Sequence, residues 1–376
     1  MFYSDGNSIS YFHDDCPSNA SDVAKSVLCQ KAGTILLASG VDPLLVDRAI
    51  SSLAITKNYI DTELSQRHLY AASTSTHTIY RLLVTFAGGN VVIEQHWPVF
   101  VGGGRAGFVD GIAALFDTPT ELELSSDGKL LYLSDYGNNR IRVVDTVTRY
   151  VTTLLGDGRP CWRFGPLGTG GTQAKLAAEY CNNYEGSATA QRPLGIGLSR
   201  DNTKLFAAML SEDAVGLVDL KQATLTRYCS FLPALVKNTF ETCRTTNVPN
   251  SRSCFLWKPY DVAATDQSLF VAVTNGVTRI NLDDLSCEQV SGSLWNWNAS
   301  SSMGYADGER VNQTCSTSRV YNPFKLVFSA DTGIMYVADL SNGAVRRIFI
   351  DGKCSCPEGS IFIEEARACY DPTQRW

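Results

Sequence analysis

Asp135 and Asp339 each stand where a short apolar run stops and a polar turn begins, in LLYLSDYGNNR and IMYVADLSNGA. Asn138, Asn139 and Asn342 lie in those turns. Carboxylate and amide oxygens grouped this way suit calcium, a hard cation with oxygen ligands. The same Asp can instead accept hydrogen bonds from turn N–H groups and fix a hairpin, and the pattern favours that use. Asp110-Gly111 and Asp307-Gly308 read alike. Calcium is the one cofactor left open. The histidines are His13, His68, His77 and His96. A zinc site needs ligands that converge at about 2.0–2.1 Å, and three of these four crowd into one short stretch. GxSxG and HExxH are absent, and neither Gly102-Gly103-Gly104 nor Gly168-Thr169-Gly170-Gly171 is followed by a P-loop Lys-Ser/Thr. These glycines read as loops, and no catalytic residue is expected.

Residues suited to binding sit elsewhere. Residues 158–192 hold Cys161, Trp162, Arg163, Phe164 and Cys181; residues 232–258 hold Cys243, Cys254 and Trp257. The stretch SLWNWNASSS adds Trp295 and Trp297. Tryptophan and arginine are favoured anchors of binding surfaces, and cysteines can tether long loops. Against this, the aromatic rings could pack under their own loops as local cores.

The elements that would carry these loops are strands. Tyr132-Leu133-Ser134 gives a pattern of aromatic, any residue, small residue, followed by a turn and a second strand. Copies start at Phe2, Tyr70, Phe206, Phe270 and Tyr336, spaced 62 to 74 residues apart. Pro119, Pro193 and Pro323 sit 13 residues before their aromatic, and Pro259 sits 11 before. Each introduces an alternating run: ELELS, LGIGLS, FKLVFS and YDVAAT. Proline suits the start of a strand that needs no ladder N–H. Gly195-Ile196-Gly197 falls inside one predicted innermost strand. A hairpin alone cannot bury a face, so repetition must build the core. Radial repetition of four-stranded sheets makes a β-propeller. Six blades are expected, with five the other count: units 1–40, 41–103, 104–157, 158–231, 232–297 and 298–353. The segment 354–376 is either a closing strand, GSIFIEEA, or a small disulfide tail.

Composition narrows the compartment. The chain has 376 residues, net charge −6, and a pI near 5.3. There is no basic block for a nucleic-acid backbone and no apolar run long enough for membrane insertion. Twelve cysteines occur: Cys16, Cys29, Cys161, Cys181, Cys229, Cys243, Cys254, Cys287, Cys315, Cys354, Cys356 and Cys369. Sequons begin at Asn19, Asn298 and Asn312. Together they point to an oxidising, secretory compartment. Short-loop pairings are expected: Cys16–Cys29, Cys161–Cys181, Cys229–Cys243, and Cys369 with Cys354 or Cys356. Met1 is followed by a strand-like run instead of a signal segment, so a segment upstream is expected.

The stretch GFVDGIAALFDTPTELELSSDGKLLYLSDYGNNRIRVVDTVTRYVTTLLG resembles an NHL repeat nearly throughout. GYADG, NPFKLVFS and IMYVADLSNGAVRRI form a second good match. The other units keep the strand pattern and lose the Asp-and-Asn turn. The resemblance implies an all-β propeller of secreted or cell-surface type. Some similar propellers are lyases that cleave peptidyl-hydroxyglycine and hold zinc in a central channel. Here the histidines lack that blade-by-blade distribution. The expectation is a non-catalytic extracellular binding module for a protein, peptide or glycan. The alternative is a metal-dependent channel-site lyase or hydrolase.

Overall fold

The computed structural model describes residues 2–4, 9–12, 32–33, 35–37, 49–57, 65–87, 90–159, 165–166, 190–230, 256, 258–274, 276–283, 287–292, 310–311, 315–316, 320–329, 334–342, 344–349, 361–363 and 368–370. The protein is all-β, a propeller of four-stranded antiparallel blades. By internal contacts the chain divides into two compact units, which we take in turn.

In unit 1, β1 (Phe2–Ser4), β2 (Ile9–Phe12) and β3 (Ala32–Gly33) form a three-stranded sheet. Strand β4 (Ile35–Leu37) adds in parallel to the outer edge of a meander. That meander runs β5 (Ile50–Ile55), β6 (Gln66–Ser73), β7 (Thr78–Ala87) and β8 (Asn90–Val101). The next blade is β9 (Pro119–Leu124), β10 (Leu130–Asp135), β11 (Arg140–Asp145) and β12 (Val151–Leu155). Two short strands follow, β13 (Gly165–Pro166) and β14 (Ile196–Leu198). Tyr70 and Phe100 from the first meander pack with Phe116 from the connection and Leu122, Leu131 and Val144 from the second in one core.

In unit 2, β15 (Lys204–Met209), β16 (Ala214–Asp219) and β17 (Thr224–Ser230) are successive neighbours in a sheet. The blade β18 (Asp261–Ala264), β19 (Ser268–Val273), β20 (Gly276–Asn281) and β21 (Cys287–Gly292) follows. After a small pair, β22 (Arg310–Val311) and β23 (Cys315–Ser316), come β24 (Pro323–Ser329), β25 (Ile334–Asp339) and β26 (Ala344–Phe349). Last is a hairpin of β27 (Ile361–Ile363) and β28 (Ala368–Tyr370). Phe206, Leu256, Val262 and Val271 share one core, and Phe270, Val277, Leu326 and Met335 another.

Five repeats of the blade pattern are counted among the described residues, the lower of the two expected numbers. The first expected unit gives the three-stranded sheet β1-β2-β3. The aromatic of each repeat is buried: Tyr70, Tyr132, Phe206, Phe270 and Tyr336. Burying such a ring contributes roughly 1.5–3 kcal/mol. Strands β9 and β24 begin on Pro119 and Pro323, and β14 contains the expected Ile196-Gly197.

A repeated joint positions the blades. Ala49, Thr118, Arg192, Lys258 and Asn322 have φ of 44°, 52°, 42°, 47° and 51°. Each sits just before the start of a blade, and four of them precede a proline. Left-handed backbone is rare for side chains other than Gly, Asn and Asp, so something must hold it. The N–H of Thr118 donates to His77 Nδ1 at 3.0 Å. That of Arg192 donates to Asn139 Oδ1 at 3.0 Å. That of Lys258 donates to Asp213 Oδ1 at 2.8 Å, and that of Asn322 to the Thr274 carbonyl at 2.9 Å. Every acceptor lies at the hairpin between the second and third strands of the preceding blade. The chain also passes close over two of these hairpins. A Cβ at Gly102 would stand 2.8 Å from the His77 carbonyl oxygen, and one at Gly156 would collide with that of Asn139. Both glycines have positive φ.

Candidate functional site

The Asp residues that end β10 and β25 are structural. Asp135 Oδ1 accepts the Asp117 N–H at 2.8 Å, and Oδ2 accepts from Arg142 at 2.7 Å and Asn138 at 2.9 Å. Asp339 repeats this: Oδ1 accepts the Tyr321 N–H at 2.7 Å and Oδ2 accepts from Arg346 at 2.7 Å. Both carboxylates and Arg142 are fully buried. Arg142 also donates to Asp110 and to the carbonyls of Val109 and Leu115. Its guanidinium lies 5.3 Å from the Phe116 ring centroid. Burial pushes the Asp135 carboxyl upward, opposed by the Asp117 N–H and by Asn138 and Arg142. The hairpin-fixing use of these residues is therefore the one the geometry displays. Among the described residues no three His, Cys, Asp or Glu side chains group as metal ligands.

The histidines separate by role. His77 sits in the β6–β7 hairpin and accepts through Nδ1, which places its proton on Nε2. His68 sits at the opposite end of β6, paired with Leu83. The length of β6 keeps them apart, so they do not converge on one atom.

His68 belongs instead to a cavity of about 490 Å³ in unit 1. Its lining comes from three turns and two strands. Thr56 and Lys57 follow β5; Ser126 to Lys129 form the β9–β10 turn; Thr146 and Val147 form the β11–β12 turn. In a meander the first and third turns lie at the same edge of the sheet, so the two blades bring these turns to one rim. His68 and Tyr70 project from β6 and Arg81 from β7.

Tyr70 pairs directly across the ladder with Arg81. Burial raises the Tyr70 hydroxyl above its ordinary range, opposed by Arg81 and by hydrogen bonds with Arg81 and Thr146. The Arg81 guanidinium lies 4.6 Å from the centroid of Phe100, which fixes its plane. His68 meets Tyr70 edge-on at 6.2 Å. Burial, then Arg81, lower the His68 imidazole to about 4, so it is neutral at pH 7. Asp127 is the carboxylate of the lining, and Glu123, which burial raises to about 7, interacts with Lys57 from beside it. Asp127 already accepts from Ser125 Oγ and the Lys129 N–H, with the Lys129 ammonium 3.9 Å away. The cavity therefore presents charged groups of both signs and hydroxyl donors.

The sequence names His68 among the histidines and Tyr70 as a blade aromatic, but this cavity was not singled out from it as a binding site. The residues that were, Trp162, Arg163, Phe164, Trp257, Trp295 and Trp297, lie outside the described residues, as do Asn19, Asn298 and Asn312. Cys287 is the one cysteine with a described side chain; it is disulfide-bonded and packs against the β18–β21 core. The four expected pairings fall on other cysteines, whose side chains are outside the described set.

No protein-family profile matches the chain, and no curated protein matches it. Solved structures do. One is a Bacteroides thetaiotaomicron protein provisionally named a phosphatase, with TM-score 0.52 and 11% identity over 91% of this chain and 68% of that one. An auxiliary nutrient binding protein from the same organism gives TM-score 0.35 and 11% identity over 91% of this chain and 56% of that one. The extracellular domain of its protein provisionally named a one-component system gives 0.39 and 11%, over 93% and 33%. The chain thus spans just over half of the second and a third of the third. At these identities the first similarity shows the fold alone, and that fold is the propeller reached from the sheets.

Proposed function

We propose that the chain is a non-catalytic binding module of the secreted or cell-surface, NHL-type propeller class. It presents blade-end turns and cysteine-bearing loops to a protein, peptide or glycan ligand. One observation carries this reading. The buried charges Asp135, Arg142, Asp339 and Arg346 are committed to the frame, whereas Lys57, His68, Arg81 and Lys129 line an open cavity. A rigid frame that holds polar groups at a cavity rim is what recognition requires.

Other features agree with it. The disulfide at Cys287 fits an oxidising compartment, as do the three sequons. Among the described residues no helix is long and apolar enough to cross a membrane. The acidic balance argues against a nucleic-acid partner. Glycan and peptide arrays probed with the intact protein test the reading. Deletion of 158–192 and of 232–258 then separates loop recognition from cavity recognition. Capture that survives both deletions excludes the loops as the contact. Stoichiometric zinc or calcium by elemental analysis, with turnover of a bound peptide or ester, overturns the non-catalytic assignment.

A further inference from the structure

We infer that His77 makes the joint between the two meanders of unit 1 acid-sensitive: when its ring takes up a proton, Nδ1 exchanges the Thr118 N–H for the Asp117 carboxylate and the joint opens.

His77, Asn139 and Asp213 hold one position in three hairpins, each directly before the third strand of its blade, with φ of 54°, 54° and 46°. Each side chain accepts the backbone N–H of a residue that opens a blade, at 3.0, 3.0 and 2.8 Å. Histidine, asparagine and aspartate are the side chains that enter left-handed backbone most readily, which accounts for the choice at that position. Their responses to a proton differ. The Asn139 amide keeps its oxygen lone pairs, and a protonated carboxyl at Asp213 would still accept. Imidazolium accepts nothing, because both ring nitrogens become donors. His77 already carries its proton on Nε2, so a second one goes to Nδ1, the atom that holds Thr118.

Two partners compete for that atom. Asp117 Oδ1 stands 3.5 Å from His77 Nδ1 and accepts from Thr118 Oγ1 at 2.9 Å. A proton on Nδ1 repels the Thr118 N–H and turns the near contact with Asp117 into a charge-assisted hydrogen bond. Among the described residues Asp117 is the charged group that meets the ring. Thr76 and Thr78 on its own hairpin and Gly102 beside its carbonyl are uncharged. The Tyr80 hydroxyl bonds Thr76 Oγ1 at 3.0 Å. Asp135 lies one bond further, accepting the Asp117 N–H while Arg142 matches its charge.

The segment that is released has strain to lose. Thr118 has φ of 52°, and of the five left-handed residues that open blades it alone is β-branched. Such backbone is an outlier for that kind of side chain. A residue before proline also favours extended backbone once it is unclamped.

Hydrogen exchange on the intact chain, each rate divided by the intrinsic rate at its pH, tests this at Thr118 and Arg192. Between about pH 7.5 and about pH 5, protection at Thr118 should fall about tenfold or more. Protection at Arg192, held by an amide, should stay within about twofold. Nitrogen-15 shifts of the His77 ring should show Nδ1 gaining its proton over the same interval. His77→Asn installs the acceptor of the next joint and should keep Thr118 protection level across the range. A ring that stays neutral down to about pH 5 overturns the inference. So does Thr118 protection that falls no further than that at Arg192, or an acid response that persists in His77→Asn.

Discussion

The blades β9–β12 and β18–β21 share one strand order and differ in what fills their interiors. In the first, the residue three after the buried aromatic is Asp135, and its ion-pair partner on β11 is Arg142, which faces Leu133 in the ladder; both charged residues are fully buried. At the matching positions the second blade has Val273 and Thr278. Val273 is fully buried in an apolar core, and Thr278 Oγ1 is buried without a hydrogen-bond partner. One blade closes its hairpin with an ion pair and the other with methyl groups. The strand order survives the exchange, while the hairpin shortens from four residues between Asp135 and Arg140 to two between Val273 and Gly276. The charged pair is therefore one of two solutions to filling a blade, which is why it marks architecture and not a reactive centre.

The largest expected effect breaks the charged solution halfway. Arg142→Ala leaves Asp135 buried and uncompensated, and should cost about 3–5 kcal/mol in urea unfolding. The double change Asp135→Val/Arg142→Thr imports the other blade's residues and should cost less than the single one. If it costs more, the two interiors are not interchangeable. Next is Asn139→Ala, which strands the Arg192 N–H at its left-handed position. A loss of about 1–3 kcal/mol is expected, with faster amide exchange at Arg192. In the apolar blade the sign reverses. Thr278→Val removes an unpartnered buried hydroxyl and should raise stability by about 1 kcal/mol.

The smallest effect concerns acid. His68 titrates near 4 in the folded chain and near 6.5 when unfolded. Between those values the unfolded chain takes up a proton that the folded one refuses, so stability present above pH 6.5 falls as pH drops toward 4. The half-exposed ring limits this to about 1 kcal/mol or less. His68→Gln should flatten the melting temperature between pH 6.5 and 4. A variant as acid-sensitive as the parent would show that the lost stability belongs to other groups.

The parts of the fold set by burial were legible in the sequence. Tyr70, Tyr132, Phe206, Phe270 and Tyr336 each need a place between sheets, so their spacing reveals the blades. Pro119 and Pro323 could be read because a strand start tolerates a missing N–H. The cavity could not. Its lining spans Thr56 to Val147 and comes from turns that share no local period; only the pairing of sheets brings His68 near Lys129. The joints were hidden for another reason. Their donor is a backbone N–H, which has no letter of its own. The sole trace is a non-glycine residue before a proline, as in Thr118, Arg192, Lys258 and Asn322.

Those joints accept an imidazole nitrogen, an amide oxygen, a carboxylate or a peptide carbonyl in turn. What is preserved from one to the next is a direction and a distance. A lineage built on such couplings can exchange nearly every letter at the seam while the assembly keeps its pitch, so resemblance among its members survives in geometry after it has faded from the text.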